Sequence, residues 1–361
     1  MALITFILFI PLIPLAQAAA QGVKVSSSMD ELVEAVAIDP YDPTAHYNLA
    51  LGLWSKRKYE DAERELRRSV ELDPGFALGW LALAIVPLAN TGDLDSLRLE
   101  EADRQYRLAF LLDPLVDVRI IAAVKPRWLS FGKAIDEFQK GDYNAAFKEL
   151  NELIEDDEDA ERAGLLWYRG IAAAHLGMYE IAVRDIESLI SRLEELEAGE
   201  DILHASLRTS EYRYLLAYLE HRLGNNARAI ELYRESLVSD IGLYMAHVRL
   251  AEIHEEQGDW QQALQERRRA IDANPDDPTL LTDLGRTLAQ MQMWDEARQA
   301  MHAAVEANPD DPRPWYFRGL LDLKAGDKAE ARHAFREFLT RAPSKYDDQI
   351  KDARTRLEAI Q

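Results

Sequence analysis

The chain has 361 residues, with 64 acids against 42 bases, a formal charge of −22 and no cysteine. At 48% hydrophobic residues it can fold, and its length exceeds one compact core, which leaves two domains or an elongated array. The acidity disfavours nucleic acid and anionic lipid as partners, and the missing cysteine excludes disulfides, thiol nucleophiles and thiolate metal sites.

Residues 3–15 form an apolar run broken by Pro11 and Pro14, followed by Ala16-Gln17-Ala18-Ala19-Ala20. This predicts a signal peptide over 1–20, cleaved after Ala18 or Ala20, and a periplasmic or extracellular chain. No Lys or Arg precedes the run, and retention as a membrane anchor is the alternative. A span of ~20 residues needs a longer unbroken stretch. Residues 21–42 read as an N-terminal segment and a lone capping helix, with Leu32, Ala35 and Val36 apolar.

From residue 43 onward a rhythm sets in. Pro40 and Pro74 stand 34 apart, as do Pro275, Pro309 and Pro343. Each ends a helix, because proline lacks the amide donor and pushes the preceding residue out of helical geometry. Asp42-Pro43, Asp277-Pro278 and Asp311-Pro312 predict the next helix starts, with Asp as cap and Pro in the first turn. Between the prolines, small residues pair 12 apart: Ala50 with Ala62, Ala251 with Ala263, Gly285 with Ala297, Gly319 with Ala331. In the first unit His46, Leu49, Ala50 and Leu53 make one apolar stripe, and Tyr59, Ala62, Leu66 and Val70 the other. Turns fall at Gly141-Asp142, Gly258-Asp259 and Gly326-Asp327. A fixed period of this size means a solenoid of helical hairpins, each packed on its neighbours alone.

The spacing divides the chain into repeats 1–2 over 43–114, an irregular joint over 115–126, degenerate repeats 3–4 over 127–200 and repeats 5–8 over 201–343. The turn at 90–93 is enlarged, the acidic stretch 155–159 is a solvated loop, and the helix over 188–197 extends to a bend near Gly199. Residues 344–361 predict a solvating C-terminal helix with Tyr346, Ile350, Ala353 and Leu357 as its stripe.

The phrase Leu284-Gly285, Trp294, Ala297, Ala304, Pro309 resembles the tetratricopeptide repeat, as does Trp315, Gly319, Ala331, Phe335, Pro343. The resemblance covers about residues 43–343 and implies an all-α, right-handed superhelical solenoid of about eight helix-turn-helix hairpins, whose first helices line a concave groove. It places Tyr47, Trp54, Trp128, Phe131, Trp167, Tyr214 and Tyr218 toward that groove in the N-terminal part. In the C-terminal part it places Arg286, Arg313 and Tyr316 there, beside Val248, Glu252, Glu255 and Thr282. Aromatic side chains with a polar tip are frequent at binding hot spots. Packing between hairpins is the competing account, above all for Trp54, Trp128, Phe131 and Trp167. The basic clamp with which some members of the family grip the acidic C-terminus of a chaperone has only Arg313 to supply it.

Other chemistry is missing from the pattern. No histidine pair has the i, i+4 spacing and glutamate of a helical zinc hydrolase, no glycine-rich phosphate loop occurs, and no serine sits in a G-x-S-x-G turn. His247 and His254, two turns apart on one face, read as surface or groove lining. The acids at 155–159 lack the glycine and alternating ligands of a calcium loop. The expectation is therefore an interaction scaffold or adaptor in a bacterial cell envelope, with no catalytic residue, metal or cofactor, binding a peptide or helix of a protein partner. Two alternatives remain. One is a structural oligomer whose groove is filled by a second copy or by the chain's own N-terminal segment. The other is an envelope enzyme with its site in the irregular middle repeats.

Overall fold

The computed structural model describes residues 28–86, 96–116, 132–156, 162–195 and 209–360. The expected signal segment, the turn at 90–93, most of the joint, Trp128, Phe131, residues 157–159 and the expected bend near Gly199 lie outside them. Among the described residues every regular element is helical. A lone helix α1 (Met29–Ile38) precedes α2 (Pro43–Ser55) with α3 (Tyr59–Leu72), α4 (Ala77–Ile85) with α5 (Ser96–Leu112), and α6 (Gly132–Gln139) with α7 (Tyr143–Asp156). Next come α8 (Arg162–His175) with α9 (Tyr179–Glu195), and α10 (Thr209–Arg222) with α11 (Asn226–Ser239). The last three pairs are α12 (Tyr244–Glu256) with α13 (Trp260–Ala273), α14 (Pro278–Gln290) with α15 (Trp294–Ala307), and α16 (Pro312–Ala325) with α17 (Lys328–Arg341). A 3-10 turn at Ser344–Tyr346 leads to the final helix α18 (Asp347–Ala359).

The helices begin where their caps dictate. Asp277 accepts from the amides of Thr279 and Leu280, and Asp311 from that of Arg313, each with proline in the first turn. Asp42 accepts from the Thr44 amide at 2.9 Å. Such a side-chain acceptor satisfies donors that the helix itself leaves open. At the turns Gly258 (φ 75°) and Gly326 (φ 87°) take the left-handed conformation that ends a first helix. In two repeats a residue with a side chain holds that conformation instead, Arg57 (φ 60°) and Gln292 (φ 61°).

The small-residue pairs set how closely a hairpin closes. Ala62, Ala251, Ala263, Ala297 and Ala331 are all fully buried. A methyl group on Gly319 would stand 2.7 Å from the Phe335 ring, and on Gly285 2.7 Å from the Met301 methyl. Residues at these places must be small for the helices to approach.

The described residues fall into two compact units, each built of more than one segment. In the first, residues 50–63 join residues 77–243. Here α5 meets α10 and α11: the Tyr214 hydroxyl donates to the Leu111 carbonyl at 2.6 Å, and Arg107 pairs with Glu211 at 2.6 Å and with Asp240. In the second, residues 29–49 and 64–76 join residues 244–361. Here Arg68 pairs with Asp310 at 2.8 Å, the Asn308 amide donates to the Glu71 carbonyl at 2.6 Å, and Lys345 pairs with Asp73 at 3.2 Å. These contacts join residues more than a hundred positions apart, which neighbour-only packing does not foresee. Long charged side chains at the ends of α3 and α5 reach later repeats.

The end of the chain is covered as its stripe requires. Tyr346, Ile350, Ala353 and Leu357 pack with Trp315, Phe335 and Phe338. Helix α18 thus takes the open flank of the last hairpin and turns its charged side outward.

Candidate partner-binding surface

The first helices carry the candidate residues, and the structure sorts them into interior and accessible positions. Tyr47, Trp54, Trp167 and Tyr214 are buried. The Tyr47 ring stands edge-on to Phe76 at 5.3 Å, and the Trp167 ring edge-on to Tyr212 at 5.4 Å. Tyr214, 0% exposed, lies against Phe110 and Tyr233 and spends its hydroxyl on Leu111. For these four the reading as open-groove residues gives way to packing. A large ring fills the space beside the small residues of the hairpins, and its burial outweighs any gain from leaving it exposed. Tyr218 is only half-buried and keeps part of its surface accessible.

The C-terminal candidates divide in the same way. Arg286 is exposed, with 55% of its side chain accessible, beside Asp283 at 3.2 Å and over the Phe317 ring at 5.9 Å. Arg313 is already engaged: it grips Asp311 through two nitrogens at 2.6–3.0 Å and donates to the Thr279 hydroxyl at 3.2 Å. Burial works to lower its pKa, and Asp311 outweighs that and raises it. Tyr316 donates to Asp352 at 2.8 Å, a contact with α18. Burial and then that hydrogen bond push its pKa up to about 12, so it stays a neutral donor.

The two histidines read as surface or groove lining are placed otherwise. His247 Nδ1 lies 2.6 Å from Glu266 Oε2, and His254 is buried. His46 and Glu65 repeat the first pairing at the same separation in sequence, also at 2.6 Å. In both repeats the pair ties the first helix of the hairpin to the second.

A charged network escaped sequence reading altogether. Arg267, buried on the second helix α13, pairs with Glu255 at 3.2 Å and with Asp283 at 3.4 Å, and the Thr287 hydroxyl donates to Glu255 at 2.7 Å. Helical spacing sets Arg267, four after Ala263 and three before Ala270, on the inward stripe and leaves Arg268 and Arg269 outside it, but only the interhelix geometry selects its carboxylate partners. Along the first helices of this unit Glu252 and Arg286 keep accessible charge, Glu252 being paired with Arg249 at 3.0 Å. Among the described residues no cluster of three or more metal-ligating side chains occurs, and no helix is long and apolar enough to cross a membrane.

Tetratricopeptide-repeat family models match three segments, residues 43–76, 194–243 and 254–321. These segments are tetratricopeptide repeats. The chain's helices follow one another in packed hairpins, as in the C-terminal part of a TPR repeat-containing protein from Cytophaga hutchinsonii. That structure is 17% identical, with a TM-score of 0.52 over 62% of this chain and 84% of that one. Residues 41 to the end of MamA from Desulfovibrio magneticus RS-1 align at 18% identity and a TM-score of 0.39, over 56% of this chain and 98% of that one. No curated protein sequence matches. The chain thus carries an architecture that is in general a scaffold for protein interactions.

Proposed function

We propose that the protein is a non-enzymatic adaptor that holds a segment of a partner protein along the charged first-helix face of residues 244–325. One observation carries this reading: Tyr47, Trp54, Trp167 and Tyr214 are buried, whereas Glu252 and Arg286 present accessible charge on α12 and α14. A segment with alternating charge would exchange its own pairs for those of Arg249–Glu252 and Asp283–Arg286. Such partly exposed pairs within one helix add little to stability and much to the selection of a partner. Immobilised protein should capture a partner from the cells that make it, and Glu252→Lys with Arg286→Glu should lose it while the helical content stays the same. Recovery of the same proteins in the same yield by both forms would sink the proposal.

A second reading has its own support. Tyr214 stands where the family places a groove residue, and α5 of the same chain covers it through Phe110 and Leu111. The first unit therefore suits a groove filled from within, and light scattering separates a self-sufficient monomer from an assembly of copies. The apolar run at 3–15 and the small residues after it support export to the cell envelope. Fractionation of the full-length chain, with N-terminal sequencing of the product, tests that.

A further inference from the structure

The second unit holds two segments of very different sequence position together by charge. Arg68, Glu71 and Asp73 lie at the C-terminal end of α3 and just after it, and they meet Asp310, Asn308 and Lys345. Asp310 also faces Arg341 at 3.7 Å, and the Arg68 guanidinium lies over the Tyr41 ring at 6.0 Å. The contact is wet: Arg68 and Asp310 each keep 32% of the side chain exposed, and Lys345 keeps 44%. The Asp73 charge also acts on Arg313, at the start of α16, and on Tyr346, in the turn after α17.

We propose that this contact is an electrostatic latch: the end of the first hairpin is held to the last repeats by charge pairs and released by salt or by a competing charged ligand. Half-exposed ion pairs add little to stability and are screened over about 10 Å at 0.1 M salt. A contact built from them is strong at low ionic strength and weak at high, unlike a contact built on buried rings. Release would uncover the N-terminal turn of α16, where Arg313 lies, and the 3-10 turn that carries Tyr346, to a partner. The latch stands independently of the binding face proposed for α12 and α14, since either can fail without the other.

The absence of native cysteine makes the test direct. Glu71→Cys and Thr340→Cys take a spin-label pair on either side of the latch, and the label-to-label distance is read from low salt to about 1 M. The expected result is one short distance at low salt, replaced by a longer and broader distribution at high salt. Arg68→Glu with Lys345→Glu in the same labelled chain should give the long distribution already at low salt. The salt series on the chain with native charges decides the matter even if that variant folds poorly. A short distance that persists at high salt would overturn the latch and leave the contact to packing.

Discussion

The two long-range contacts use the same part of the repeat, the end of a second helix, with opposite chemistry. In the first unit the end of α5 brings Phe110 and the Leu111 carbonyl to a fully buried tyrosine, and Arg107 to a carboxylate, Glu211, that is 1% exposed. In the second unit the end of α3 brings Arg68, the Glu71 carbonyl and Asp73 to partly exposed partners. Desolvation is the difference. A charge or hydroxyl withdrawn from water must keep its partner, whereas an exposed pair can trade its partner for water at little cost. One contact is therefore part of the core, and the other can open.

The sharpest way to break this comparison is Arg107→Ala. It removes a counter-charge of the buried Glu211 carboxylate and should cost about 3 kcal/mol, read as a fall in the urea midpoint. If the variant unfolds at the native midpoint, the first contact is no firmer than the second. Tyr214→Phe keeps the ring and deletes only the hydrogen bond to Leu111, for an expected loss of about 1–2 kcal/mol in the same assay. Gln292→Gly relieves a left-handed residue that touches neither contact and should raise stability by ~1 kcal/mol. Its thermal shift calibrates the repeat framework against which the other changes are judged. The smallest effect belongs to Arg68→Ala, under ~1 kcal/mol at low salt and vanishing at high salt. An effect of that variant that persists undiminished at high salt would erase the distinction between the regions.

Much of this architecture was legible in the chain. Prolines 34 apart, Asp-Pro starts and paired small residues name the hairpins, and the stripe Tyr346, Ile350, Ala353, Leu357 names the terminal helix. These signals are local: capping, the missing amide of proline and close approach at glycine or alanine act within a few residues or across a single turn. The candidate site was less legible. Tyr214 and Tyr218 lie four apart on one helix, yet one is sealed by α5 and the other keeps accessible surface. Their sequence spacing could not say so, because what covers a first helix is decided by a segment a hundred residues away.

By itself the sequence determined the period, the helices and the residues at which they close on one another, since each of these rests on short-range sterics and backbone hydrogen bonding. Only the tertiary structure decided which rings turn inward, which carboxylates Arg267 meets, and which distant helix ends meet. The reason is physical: repeated units with equivalent surfaces offer many near-equal pairings, and the choice among them is made by packing and desolvation summed over the folded whole.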